Sequence, residues 1–273
     1  MMSVVVEKII ELLHGERPFT DINLAPGQPI LCRMPSGYKA LADVDLTSDD
    51  ISEFLALPGV GGANWRVRMK DSGGSFDVAQ TFSSSRLRCS AYETDGGEHN
   101  IRVALRCLPL EVPPLAQLGT PRQLEAVTAR GKGLFLITGP TGAGKTTTLA
   151  AMLDFVNQSR AVHIQTIEKP IEYILHRKQS VVSQCEVPTN IASFGAGINA
   201  ALRHRPDIIA IGEIHDRETV TEMLHAASSG HLVLATMHTS SCEETISALL
   251  QFYDGTEAVQ KRILLSSALV GIV

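Results

Sequence analysis

Residues 133–148, GLFLITGPTGAGKTTT, constrain what this chain can fold into more than any other stretch. The apolar run Leu134-Phe135-Leu136-Ile137 is short enough to be a buried parallel strand. It passes directly into Gly139-Pro140-Thr141-Gly142-Ala143-Gly144-Lys145-Thr146, which fits GxxxxGK[ST] at every fixed position. Glycines let the backbone N–H groups of such a loop approach phosphate oxygens closely. Lys145 then supplies a compact positive charge for the β and γ phosphates, Thr146 a hydroxyl for Mg²⁺, and the next helix the positive end of its dipole. That helix is legible in Leu149, Met152, Leu153 and Val156, spaced i, i+3, i+4, i+7. Residues Gly139 to Thr146, with Thr147 after them, are the candidate nucleotide-binding set.

The chain has 273 residues, 44% of them apolar, enough for one large domain or two modest ones with real cores. Net charge is −5 with Lys and Arg scattered, so charge gives no reason to expect a nucleic acid or an anionic membrane as main partner. The five cysteines are odd in number and widely spaced, with no CxxC pair, which favours neither a disulfide framework nor a zinc site and points to a reduced, cytoplasmic location. No apolar stretch approaches the roughly 20 residues of a membrane span, and the first residues do not read as a signal peptide.

Two regimes of pattern divide the chain. Before residue 108, Val5 to His14 reads as an amphipathic helix, and Thr47 with Asp50 as a capping box opening a helix through Leu57. Asp21 to Leu24, Ile30 to Met34, Ser75 to Phe82, Arg86 to Tyr92 and Asn100 to Cys107 read as strands. These features predict a small α+β domain over 1–107 with an antiparallel sheet, and a linker over 108–119 around LEVPPL. From Thr120, read as an N-cap with Pro121 at N1, strands alternate with helices over 120–273, the signature of a parallel sheet covered on both faces. The last helix is expected from Thr256 through Leu269. Its apolar face and the abrupt Gly271-Ile272-Val273 raise the expectation of a missing C-terminal portion.

In open α/β sheets, ligands sit beyond the carboxyl ends of the strands. Three apolar strands end there in polar residues: Ala161 to Ile167 in Glu168, Asp207 to Ile211 in Gly212-Glu213, and His231 to Met237 in His238. Phosphoryl transfer to water needs a positioned water, a metal bridging the β and γ phosphates, and neutralisation of developing charge. Glu213 is the candidate for Mg²⁺ and its waters, Glu168 for polarising the attacking water, and His238 for sensing the γ-phosphate. Either Glu can instead be a solvated loop charge, and His238 a satisfied strand-end residue. His231, about 20 Å from the loop by strand rise, reads as structural or interfacial.

TIEKPIEY (Thr166 to Tyr173), SQCEV (Ser183 to Val187), ALRHRPDIIAIGEIHD (Ala201 to Asp216) and SSGHLVLATMHTSS (Ser228 to Ser241) closely resemble the Asp box, Walker B and His box of the secretion and pilus-assembly ATPase superfamily (GspE/PilT-like). Pilus retraction ATPases look nearest, with Dot/Icm-like and conjugation-type secretion ATPases close behind. TDINLAPGQPI resembles the start of the family's PAS-like N-terminal domain, and RLRCSAY and LRCLP its arginine-bearing strands. The resemblance implies a RecA-like ATPase core, ATP and Mg²⁺, and a homo-hexameric ring at the cytoplasmic face of the inner membrane, held there by a membrane platform protein. It also implies that Arg88 and Arg106 reach the nucleotide, roles that their pattern alone would leave as solvated strand-face charges.

The chain departs from the family where Lys169 replaces the usual second acid of the Asp box and where His215 stands in place of a typical Arg. Two further readings stay open: a nucleotide-dependent regulatory scaffold whose hydrolysis Lys169 has weakened, and a DNA-translocating ring, against which the acidic charge and the lack of a basic, aromatic groove both argue.

Overall fold

The structure, a computed structural model, describes residues 7–9, 11–12, 19, 21–34, 36–41, 44–82, 85–94, 100–108 and 110–273. It divides into two compact units, Met1–Leu110 and Glu111–Val273.

Among the described residues, the N-terminal unit is built on six antiparallel strands, β1 (Asp21–Leu24), β2 (Leu31–Met34), β3 (Gly37–Ala40), β4 (Ser75–Phe82), β5 (Ser85–Glu93) and β6 (Ile101–Leu108), ordered β3-β2-β1-β6-β5-β4. Alternation decides which face is covered. Ile101, Val103 and Leu105 of β6 join Ile22, Cys32, Leu87 and Cys89 in one buried cluster, while Arg102, Ala104 and Arg106 face the other way. Helices α1 (Ser48–Ala56) and α2 (Trp65–Asp71) contribute Ile51, Phe54, Leu55, Trp65 and Met69 to that cluster. The capping box at the start of α1 is present as expected: the Asp50 amide donates to Thr47 Oγ1 at 3.1 Å, and the Thr47 amide to Asp50 Oδ2 at 2.8 Å. Of the helix expected over 5–14, residues 7–9 and 11–12 are helical, and the rest lies outside the described residues.

The C-terminal unit carries six parallel strands, β7 (Gly133–Thr138), β8 (His163–Glu168), β9 (Val181–Glu186), β10 (Ile208–Ile211), β11 (Leu232–Met237) and β12 (Leu269–Ile272), in the order β12-β7-β11-β10-β8-β9. The helices are α3 (Gln123–Thr128), α4 (Lys145–Ser159), α5 (Phe194–His204), α6 (Arg217–Ser228), α7 (Cys242–Leu250) and α8 (Gly255–Ala268). Successive residues of one strand go to opposite cores. Leu134 and Leu136 of β7 pack with Ile198, Val220 and Leu224 of α5 and α6, whereas Phe135 and Ile137 pack with Leu149, Met152 and Val156 of α4. Both faces are thus covered, every residue of β10 and β11 is buried, and access to these strands is left to their ends.

Two expectations are corrected. Thr120 does not cap a helix; α3 starts at Gln123 with Arg122 as its cap residue, and the Thr120 hydroxyl turns back to the Leu115 carbonyl at 3.5 Å. The last helix stops at Ala268, and Leu269 begins β12 beside β7. Leu269-Val270 resumes a β-favouring run there, and Gly271 fits because even a Cβ at this position would come within 3.1 Å of the Phe135 ring.

Candidate functional site

The loop between β7 and α4 wraps around its own lysine. Gly139 (φ 142°) and Gly144 (φ 89°) take backbone conformations that L side chains rarely adopt, and Gly144 serves as the cap of α4. A Cβ on Gly139 would also lie 3.1 Å from that of Ala143. Lys145 is buried, and its ammonium donates to the carbonyls of Gly139 at 2.7 Å and Pro140 at 2.9 Å. Burial lowers its pKa from the ordinary lysine value, with the Glu213 charge pulling the other way. Thr141, Gly142 and Ala143 are the exposed tip of the loop, and Thr146 and Thr147 lie half-buried in the first turn of α4.

Parallel register brings the strand-end residues to this loop. Thr138 pairs with Met237, Ala235 with Ile211, and Ile211 with Ile167, so β7, β11, β10 and β8 finish side by side. His238 follows β11, and its Nδ1 stands 3.2 Å from the Lys145 ammonium. An ammonium can only donate, so Nδ1 accepts and the ring hydrogen of a neutral His238 sits on Nε2. That Nε2 faces Glu213 Oε2 at 3.7 Å, and His215 Nδ1 approaches the other oxygen of Glu213 at 4.0 Å. Lys145, His238 and Glu213 therefore form one chain of polar groups across the ends of three strands.

Glu168 stands in different company. Its Oε1 accepts from Thr166 Oγ1 at 2.6 Å and from Gln184 Nε2 at 3.1 Å. Close approach favours glycine between β10 and Glu213: a Cβ on Gly212 would meet the Glu168 Cα at 3.2 Å and the Ile167 carbonyl oxygen at 3.3 Å. A cavity of about 20 Å³, room for a single water molecule, is lined by Thr146, Thr166, Glu168, Tyr173, Gln184 and Gly212 among others, so the Thr146 and Glu168 side chains open onto one space. Lys169 is exposed beside it.

The two arginines lie in the N-terminal unit. Arg88 of β5 pairs opposite Arg106 of β6, on the sheet face away from the buried cluster, and Arg106 Nε bonds Asp21 Oδ1 at 2.8 Å. His231 Nδ1 stands 3.2 Å from the Ala226 carbonyl, within its own helix–strand connection. Among the described residues there is no ready-made group of three or more His, Cys, Asp or Glu side chains for a metal, and no described helix is long and apolar enough to cross a membrane.

Sequence reasoning gave no role to Thr166, Tyr173 or Gln184, all of which line the site. Tyr173 OH lies 3.1 Å from Thr147 Oγ1, and the Tyr173 carbonyl accepts from Gln184 Nε2 at 2.9 Å. Their only sequence signal is their presence inside the stretches TIEKPIEY and SQCEV.

Fold and loop together define an α/β protein of the phosphate-loop class. The chain belongs to the Type II/IV secretion system protein family, which matches residues 68–273. It is 39% identical to the type IV pilus retraction ATPase PilT of Pseudomonas aeruginosa over 189 residues, 69% of this chain and 54% of that protein. A crystal structure of the pilus retraction motor PilT with bound ADP superposes with a TM-score of 0.86 at 35% identity, covering 100% of this chain and 77% of that one. The Legionella pneumophila ATPase DotB superposes with a TM-score of 0.83 at 28% identity, covering 97% and 72%. The chain spans about half the length of its relative from Pseudomonas aeruginosa.

Proposed function

We propose that this chain is the ATP-binding and hydrolysing part of a ring motor that drives a type IV pilus or a type IV secretion machine. The observation that carries the reading is the meeting of Lys145, His238, Glu213 and Glu168 beside the phosphate loop, at the carboxyl edge of one parallel sheet. Likeness to a pilus retraction motor bound to ADP supports the choice of nucleotide.

In this reading the ammonium of Lys145 exchanges the Gly139 and Pro140 carbonyls for phosphate oxygens. Lys145 is well placed for the exchange, because a desolvated cation gains more from an anionic partner than from neutral carbonyls. Mg²⁺ would be held by the hydroxyl of Thr146 and, directly or through water, by Glu213, a hard-oxygen set of the kind Mg²⁺ takes alongside nucleotide phosphates. Bound there, it would neutralise charge on the β and γ oxygens. Glu168 polarises the attacking water, and His238, already in contact with Lys145, reports on the γ-phosphate. Arg88 and Arg106 supply guanidinium groups to nucleotide held in a homo-hexamer. The N-terminal unit is read as PAS-like and 108–119 as its linker. The ring works at the cytoplasmic face of the inner membrane through a platform protein, without direct nucleic-acid binding.

The test is ATP turnover per subunit as the chain is concentrated. Turnover is expected to rise with assembly, and Glu213→Gln to bind ATP while losing about 10² to 10³ in rate. A flat rate, with a monomeric mass in the presence of nucleotide, overturns the reading. The scaffold alternative draws on exposed Lys169 next to Glu168; it requires weak wild-type turnover that Lys169→Asp restores.

A further inference from the structure

We propose that Gln184, together with Thr166, is a positioning residue that fixes the orientation of the Glu168 carboxylate; this rests on the hydrolytic role proposed for Glu168. The strands set the arrangement. In the β8–β9 ladder Thr166 pairs with Gln184 and Glu168 with Glu186, so Thr166, Glu168 and Gln184 share one face of the sheet, the face turned to α4. Thr166 is fully buried and Gln184 partly so. Both donate to the same oxygen, Oε1 of Glu168, at 2.6 Å and 3.1 Å. Two donors converging on one oxygen from neighbouring strands define the plane and direction of a carboxylate whose own side-chain torsions are soft.

The Gln184 amide is itself held on every side. Its Oε1 accepts from the Leu175 amide at 2.8 Å, and its Nε2 donates to the Tyr173 carbonyl at 2.9 Å as well as to Glu168. A flipped amide would aim its oxygen at a carbonyl and a carboxylate and its nitrogen at an N–H, so only one orientation satisfies all three contacts. Gln184 therefore ties Glu168 to residues 173–175, and Tyr173 in turn touches Thr147, next to the hydroxyl proposed for Mg²⁺. Neutral donors suit this role, because Thr and Gln orient the carboxylate without adding a positive charge of their own.

The experiment measures steady-state ATP turnover, KM and Tm of the assembled full chain for wild type, Glu168→Gln, Thr166→Val, Thr166→Ser and Gln184→Met. Glu168→Gln is expected to lose turnover. Thr166→Val and Gln184→Met, each close in shape but without the donor, should lower kcat about tenfold with KM unchanged, and Gln184→Met should also lower Tm because it leaves the Leu175 amide and the Tyr173 carbonyl unpaired. Thr166→Ser, which keeps the hydroxyl, should hold the wild-type kcat. Added to Glu168→Asp, whose shortened carboxylate is withdrawn from both donors, Gln184→Met should cost nothing further, as expected of a residue acting through Glu168.

Wild-type kcat in both Thr166→Val and Gln184→Met overturns the proposal. So does a full additive loss on Glu168→Asp, a kcat drop matched by an equal rise in KM, or a Thr166→Ser as impaired as Thr166→Val. If Gln184→Met does not fold, the Thr166 pair decides alone. A wild-type chain without turnover, or a fully active Glu168→Gln, overturns the hydrolytic reading itself and the clamp with it.

Discussion

The antiparallel sheet of the N-terminal unit and the parallel sheet of the C-terminal unit solve the same packing problem in opposite ways. Strand β6 buries Ile101, Val103 and Leu105 in one apolar cluster and turns Arg102 and Arg106 to the other face, so charged groups are carried along the strand itself. Strands β10 and β11 bury every residue between two layers of helices, and polar groups gather only where each strand stops. A sheet with one apolar face can carry charge along its strands; a sheet with two can carry it only at an edge. In the proposed function Arg88 and Arg106 act in the first way, and Lys145, Glu168, Glu213 and His238 in the second.

The comparison can be broken by showing that the arginine-bearing face does no chemistry. Arg88→Ala is expected to reduce turnover of the assembled protein by about 10³ or more while leaving nucleotide affinity of the dissociated subunit unchanged, since fingers of this kind act on the transition state. Equal turnover in variant and wild type would reduce Arg88 to a surface charge. Next in size, Leu136→Ala hollows the two-sided core and should cost about 2–5 kcal/mol, read as a lowered urea midpoint with unchanged slope. Thr47→Ala removes one half of the capping box of α1 and should cost about 1 kcal/mol, confined to the N-terminal unit. The last sharpening changes no stability at all. Cys32 and Cys89 lie on the covered face of the antiparallel sheet, where burial pushes both thiols up to about 12. Alkylation of folded protein at about pH 8, well below that value, should spare them while exposed Cys242 reacts, with labelled cysteines counted by mass.

Legibility followed the same division. Gly139 to Thr146 could be read directly because the loop's chemistry is local, each requirement falling on a residue a few positions from the next. Glu168, Glu213 and His238 were readable because an apolar run ending in a polar residue marks where a buried parallel strand meets solvent. Thr166 and Gln184 were not, since they meet only through the ladder between β8 and β9, which no pattern within either strand reports. Strand β3 was missed because all four of its residues are exposed, leaving no alternation to detect, and α2 because its seven residues bury only Trp65 and Met69. Leu269, the first residue of β12, reads as the tail of a helix because it continues the apolar spacing of α8, and only the ladder with β7 separates the two outcomes. In the N-terminal unit, Arg88 and Arg106 carried no signal beyond alternation, and their assignment rests on family likeness.

Strand β12 has one further consequence. The Val273 carbonyl accepts from both the amide and the hydroxyl of Thr138, at 2.7 Å and 3.0 Å, and the Val273 amide donates to Leu136. Thr138 is the residue immediately before Gly139. Strand β12 therefore anchors the backbone one peptide before the phosphate loop and fixes where that loop leaves the sheet.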